Sequence, residues 1–420
     1  MKNLKKVLVA LLAIFLLVGC SNNKGSGNSD IVSEITEDTE VVFWHAMNGA
    51  QEEMLTKLAQ EFMAANEKIT ITLQNQSSYP DLQSKLNATF AEPSKLPTIT
   101  QAYPGWLFNA TEDKLLEPLK PYIEHTTIGM KDYEDIVEGF RNGASINDVV
   151  YGIPFNKSTE VLYYNKTILE ENGVSAPTTF EELAKVSKEI FEKTGIIGAG
   201  FDSLNNYYAT GLMNKGVEFT KDMDVTGTES KEVVDFYRQG VKEGYFRIAG
   251  SDKYLSGPFG SQLLAMNIGS SAGESHVAKA AVGNFEYGVV VRPEPINIQQ
   301  GTDIYMFSSA SANQKTAAFE FMKHLVSKES QIEWGIATGY IPVRTSAIND
   351  DKYKNSSSLV APLIAEATKN LYTLPVTANT DAVYRKSTEL MELALSETSS
   401  DLEKLLANFK EETDALWNEQ

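Results

Sequence analysis

Pro154-Phe155-Asn156-Lys157-Ser158-Thr159-Glu160-Val161-Leu162-Tyr163-Tyr164-Asn165-Lys166 is the stretch from which the fold is read. Just upstream, Tyr151, Ile153 and Phe155 alternate with smaller or polar residues, the period-two pattern of a strand. Val161 to Tyr164 is a second run of good β-formers. Between the two lie five polar residues, Asn156 to Glu160. Such a break suits a chain passing from one lobe to another. It equally suits a surface loop between two strands of one sheet.

The same residues carry a resemblance. Pro154, Phe155, Asn156, the hydrophobic run Val161-Leu162-Tyr163-Tyr164, Asn165 and Leu169 are similar to the signature of family 1 extracellular solute-binding proteins, the capture subunits of ATP-driven importers. The resemblance implies an α/β, two-lobed, periplasmic-binding-protein-like fold with a ligand cleft and three interlobe crossings. It places these near residues 156–160, 292–302 and 327–331.

Outward from this stretch, strand and helix patterns alternate. Upstream, Val41 to His45 reads as a strand. Met54, Leu55, Leu58, Phe62 and Met63 have helical spacing, and Ile69, Ile71 and Leu73 alternate with threonines. Tyr79 to Phe90 reads as a helix and Pro97 to Tyr103 as a strand. Downstream, Thr179-Phe180-Glu181-Glu182 is a capping-box start for a helix through Lys193. Strands follow at 196–201, 263–266 and 287–291, with helices at 230–242, 314–326 and 400–417. This alternation predicts parallel α/β sheets.

The N-terminus is a targeting segment. Lys2, Lys5 and Lys6 precede an uncharged apolar run of 12 residues, Val7 to Val18. That matches a secretory signal and is shorter than the ~20 residues of a spanning helix. It ends Leu17-Val18-Gly19-Cys20, which resembles the bacterial lipobox, and Cys20 is the single cysteine. Residues 1–19 are therefore expected to be a lipoprotein signal peptide. Cys20 is expected to carry acyl chains such as palmitate, and 20–37 to form a flexible tether rich in Ser, Asn and Gly. The expected location is extracytoplasmic, anchored to the bacterial cell membrane. The formal charge of −19 repels nucleic acid and anionic headgroups.

Catalytic motifs are absent from the sequence. The four histidines form no i,i+4 pair, and there is no P-loop and no Gly-x-Ser-x-Gly elbow. No metal or cofactor is expected, and no enzymatic activity. Fifty-six acidic residues leave a glycosidase-type pair open from sequence alone.

Further stretches resemble the glycerol-3-phosphate-binding branch of the family: Phe43-Trp44-His45-Ala46-Met47-Asn48-Gly49, Ser158-Thr159, Ala265-Met266 with Ser270-Ser271, and Thr338-Gly339-Tyr340-Ile341-Pro342. The resemblance implies ligand contacts at Tyr79, Ser158, Ser270, Gly301, Tyr340 and Arg385, with Tyr384 the alternative register for Arg385. It also places Trp44 in the cleft. A family carboxylate falls on Pro104, and a family tryptophan pair on Phe201 and Leu204. The phosphate end is thus kept better than the glycerol end, leaving room for a head group faced by Tyr103, Trp106, Tyr207 and Tyr208. The implied ligand is a glycerophosphodiester such as glycerophosphocholine, or sn-glycerol 3-phosphate. The alternative is an oligosaccharide stacked on Trp44, Tyr103, Trp106 or Tyr340. Implied partners are permease subunits with their ATPase, the chain itself being a monomer. The expected lobes are 38–156 with 302–328, and 160–295 with 331–420.

Overall fold

The computed structural model describes residues 31–418. The signal segment, Cys20 and the tether up to residue 30 lie outside the described residues. β1 (Thr39–His45), α1 (Ala50–Ala65), β2 (Ile69–Asn75), α2 (Tyr79–Thr89) and β3 (Ile99–Ala102) open the first lobe. β4 (Gly152–Ser158) joins its sheet, and β5 (Glu160–Asn165) begins the second. The second lobe continues with α3 (Phe180–Thr194), β6 (Ile197–Phe201), α4 (Leu204–Asn214), α5 (Thr228–Glu243), β7 (Phe246–Ile248), β8 (Leu264–Ser270) and β9 (Tyr287–Val291). β10 (Gln300–Met306) returns to the first sheet, followed by α6 (Ala312–Leu325), α7 (Lys328–Thr338), α8 (Thr380–Ser396) and α9 (Leu402–Trp417).

The two five-stranded sheets have the orders β2-β1-β3-β10-β4 and β9-β5-β8-β6-β7. One strand in each opposes its neighbours: β10 lies antiparallel to β3 and β4, and β5 to β8 and β9. The sheets are therefore mixed, which corrects the all-parallel expectation. Each reversed strand enters from a strand of the other sheet with no helix between, so strand–helix alternation carries no information about its direction. The start of α3 also differs slightly from a strict capping box. Thr179 Oγ1 accepts from the Glu182 N–H at 3.1 Å, but the Glu182 carboxylate accepts from the Thr178 N–H at 2.8 Å.

The first crossing is tighter than the sequence suggests. Asn156, Lys157 and Ser158 belong to β4 and Glu160 to β5, so only Thr159 stands between the strands. All five are buried. Their polarity reflects hydrogen bonding between segments, not exposure. Thr159 alone ties three of them: its C=O accepts from the Ser271 N–H at 2.7 Å, and its hydroxyl donates to the Ile298 C=O at 2.8 Å. The second passage runs from Arg292 to Gln299, where Asn297–Ile298 pairs with Leu371–Tyr372.

Packing does not change at 327–331. Helix α7 lies on α1 and α6, Lys57 pairs with Glu333 at 2.6 Å, and Trp334 and Ile341 share the core of Phe43, Leu58 and Ile304. The chain joins the second core at Tyr372, and α8 packs on α4 and α5. An amphipathic pattern shows that a helix buries a face; it does not show which lobe covers it.

Candidate ligand cleft

Tyr79 starts the helix after β2, Tyr103 follows β3, and Ser158 and Ser270 end β4 and β8. These are carboxyl ends of strands, where loops converge on ligands in α/β folds. Stretches far apart in sequence meet here. A Cβ on Gly339 would lie 2.7 Å from the Ser271 carbonyl oxygen, and the Ile341 N–H donates to the Lys157 C=O at 2.7 Å. Docked this way, Tyr340 places its hydroxyl 3.2 Å from that of Tyr79. Behind it, Trp334 stacks on Tyr340 with centroids 5.9 Å apart, and Phe155 stacks on Trp334 at 4.7 Å. This column of rings holds Tyr340 rigidly.

Gln101 organises the polar floor. Its Oε1 accepts from the Ala46 N–H at 2.9 Å, and its Nε2 donates to the Tyr79 hydroxyl at 3.1 Å and to Thr302 Oγ1 at 2.9 Å. Burial pushes the phenols of Tyr79, Tyr103 and Tyr340 upward, so all three stay protonated and able to donate. Tyr79, Tyr103 and Trp106 form an aromatic wall with centroids 5.1–6.1 Å apart. Tyr254, from the second lobe, is 66% exposed, yet lies near enough to act electrostatically on Tyr79, Tyr103 and Tyr340. Its loop is tied down by Asp202, which accepts from the Leu255 N–H at 2.6 Å and is pushed up to about 6 by burial.

Arg385 stands on α8 with its side chain 57% exposed. One Nη donates to Gln83 Oε1 at 3.2 Å, and the other pairs with Asp381 at 3.2 Å. Gln83 in turn donates to Asp381 at 3.1 Å. Gln83 belongs to α2 of the first lobe, so this triad spans the cleft. Asp381 also lies against Gly105, whose Cβ, if present, would be 3.4 Å from that of Asp381. A carboxylate is thus present in space beside Pro104, although Pro104 itself has none. Tyr384, the alternative register, instead donates to Asn206 within the second lobe. Ser158 Oγ donates to Gln300 Oε1 at 3.4 Å, and Ser270 Oγ accepts from the Ala272 N–H at 3.2 Å.

Five side chains expected at the ligand are buried in the lobe cores. The Trp44 indole donates to Gln74 at 2.9 Å, has Lys85 over its ring at 4.0 Å, and borders a hollow of about 320 Å³ that no other candidate residue lines. Phe201 is 1% exposed and packs on Phe180, Tyr207, Tyr237 and Phe246. Leu204 and Tyr207 join that core, where Tyr207 donates to the Val233 C=O at 2.7 Å. Tyr208 is equally buried, its hydroxyl 2.7 Å from Ser230. These aromatic residues fill a lobe rather than face a ligand. From the second lobe, Asp381 and Arg385 are the side chains that reach Gln83 and Gly105 of the first. Residue type could not separate the two groups, since a tyrosine serves equally as core or wall.

Beside the hinge is a buried ionic cluster. Arg292 pairs with Glu160 at 2.9 Å and Glu294 at 2.5 Å, and lies 5.3 Å from the Phe180 ring centroid. Asn206 donates to Glu160 at 3.1 Å. Burial raises both carboxyls, against the lowering effect of Arg292. In the first lobe Lys157 pairs with buried Asp303 at 2.5 Å. The one sequence trace of the cluster is Arg292 directly ending the apolar run Val289-Val290-Val291. Among the described residues no cluster of His, Cys, Asp and Glu could hold a metal ion, and no helix is long and apolar enough to cross a membrane.

A model of the bacterial extracellular solute-binding protein family matches residues 57–361. The chain belongs to the bacterial extracellular solute-binding proteins. Within this family it is similar to the sn-glycerol-3-phosphate-binding periplasmic protein UgpB of Salmonella typhimurium, 26% identical over 333 residues, covering 74% of this chain and 75% of that protein. It is also similar to the maltotriose-binding protein of Pyrococcus abyssi, 23% identical over 398 residues, covering 89% and 81%. Among solved solute-binding structures, UgpB from Mycobacterium tuberculosis in complex with glycerophosphocholine matches with a TM-score of 0.80 at 18% identity, over 90% of this chain and 98% of that one. The GacH receptor of Streptomyces glaucescens, solved unliganded and with acarbose, also matches with a TM-score of 0.80, at 19% identity and the same coverage. The two-lobed fold is that of these proteins.

Proposed function

We propose that this chain captures a glycerophosphodiester, such as glycerophosphocholine, or sn-glycerol 3-phosphate between its lobes and delivers it to the permease subunits of an ATP-driven importer, without chemical turnover. The observation that carries this is Arg385, the one cation among the retained contact positions. It reaches across the cleft and keeps guanidinium donors beyond its bonds to Gln83 and Asp381. Lys157 and Arg292 are already matched by buried carboxylates. With Asp381 countering Arg385, a zwitterionic diester suits the local charge better than a doubly charged monoester. A choline group would find the faces of Tyr103, Trp106 and Tyr254 with the Asp381 carboxylate nearby, in place of the buried Tyr207 and Tyr208. The second reading, an oligosaccharide, is favoured by the same aromatic wall and by the maltotriose-binding relative.

Calorimetric titration of glycerophosphocholine, sn-glycerol 3-phosphate and maltotriose into the same protein separates these readings. The expected order is diester tightest, monoester weaker and sugar undetected. Arg385→Ala is expected to lose roughly tenfold or more in diester affinity, one charge-assisted contact at a half-exposed position. Binding of maltotriose alone, with Arg385→Ala unaffected, would replace the diester with an oligosaccharide. We further propose that Cys20 anchors the chain to the membrane through acyl chains. Cys20→Ala protein that still fractionates with membranes after signal cleavage would overturn that.

A further inference from the structure

One side chain at the hinge is left over from every role above. Asn156 stands directly opposite Thr302 in the β4–β10 pairing. Cross-strand partners project to the same face of a sheet, and on that face Thr302 meets Gln101, Gln101 meets Tyr79, and Tyr79 meets Tyr340. The Asn156 and Thr302 side chains also make weak hydrogen-bonding contact with the Tyr79 hydroxyl. Gln101, Thr302, Tyr79 and Tyr340 all have hydrogen-bond partners. Asn156 is 0% exposed, yet its Oδ1 and Nδ2 have no partner at full hydrogen-bond distance, only a weak contact with the Tyr79 hydroxyl. A buried amide so weakly met is costly to folding, and in native proteins it marks a group waiting for a water, an ion or a ligand.

The proton directions around it follow from one fixed point. The Ala46 N–H needs an acceptor, which makes the other end of Gln101 the amide donor. Tyr79 and Thr302 therefore accept from Gln101, and each keeps its own proton for another partner. Tyr79 and Tyr340 can share only one proton between them, so the pair also has one to spare. The floor of the cleft thus presents a spare hydroxyl proton from the tyrosine pair, the Thr302 hydroxyl beside Tyr79 and the weakly met amide of Asn156.

We propose that Asn156 is a ligand-reading residue. With Thr302, Tyr79 and Tyr340 it forms a donor-rich subsite for an oxygen of the bound solute, phosphoryl or hydroxyl, and Gln101 is the positioning residue that aims its protons. The inference rests on the solute-binding reading but not on which solute binds, because diester, monoester and sugar all offer such oxygens.

The test compares wild type, Asn156→Leu and Asn156→Ala. Each is melted without ligand and titrated with glycerophosphocholine, sn-glycerol 3-phosphate and maltotriose. Asn156→Leu removes the polar groups and keeps the branched side-chain shape, with added bulk. It is expected to bind whichever solute the wild type accepts at least tenfold more weakly. Asn156→Ala should show the same affinity loss without added bulk. Wild-type affinity in both variants would overturn the proposal and leave an ordered water as the partner of the amide. Failure of both to fold would also overturn it, by showing the amide to be structural. If the wild type binds none of the three solutes, the functional reading fails instead, and the ligand-free melts still decide: a clearly lower melting temperature for both variants means the amide is already satisfied within the protein.

Discussion

Gly301→Ala should unfold this protein more readily than any other single methyl added near the hinge. Gly301 has φ of 101°, and a Cβ there would sit 1.6 Å from the Asn156 carbonyl oxygen. Backbone strain of this kind costs about 1–3 kcal/mol. Forcing β4 and β10 apart adds about as much again. A total of roughly 3–5 kcal/mol places the change among exceptional substitutions, and the melting temperature should fall by on the order of 10 °C. Gly273→Ala is the control, since nothing lies within 4 Å of a Cβ there. A melting temperature for Gly301→Ala within about 2 °C of wild type would show that the strands open freely at this point. Family resemblance assigns Gly301 to ligand contact. The sheet itself already gives a sufficient reason for glycine, so affinity must be measured per folded molecule to separate the two roles.

Arg292→Met is the second large effect. Its side chain is fully buried and serves both Glu160 and Glu294. Removing one partner of such a pair leaves uncompensated buried charge and costs about 3–5 kcal/mol. The cost should depend on pH with a definite sign. Burial already raises the folded Glu160 carboxyl, and loss of Arg292 removes the lowering influence on it. A carboxyl raised in the folded state is protonated there first. Its stabilising contribution is then fully present below the unfolded value near ~4.3, and is lost as pH rises through the folded value. The deficit of Arg292→Met relative to wild type should therefore be largest at neutral pH and shrink on acidification. Adding Glu160→Gln should recover part of it at neutral pH. A deficit that is flat between neutral and acid pH would assign the loss to packing over Phe180, not to charge.

Much of this architecture could be read from residue order. The alternation of strand and helix patterns marks an α/β fold, because periods of two and 3.6 are local consequences of backbone geometry. The signature from Pro154 to Asn165 marks the passage between lobes, and the resemblance at Thr338-Gly339-Tyr340 singles out a tyrosine whose hydroxyl meets that of Tyr79. What residue order could not convey is which polar and aromatic side chains face one another. Asn156 to Glu160 read as a polar break between strands and are instead buried, with all but Thr159 inside a strand. Phe201, Tyr207 and Tyr208 read as cleft aromatics and are instead core, while Asp381, which no motif singles out, lies against Gly105 and Gln83. Side-chain chemistry and local period are properties of a few neighbouring residues and survive in the sequence. Facing across a hinge depends on long-range packing of two sheets, and nothing local to Gln101, Asn156 or Arg292 encodes it.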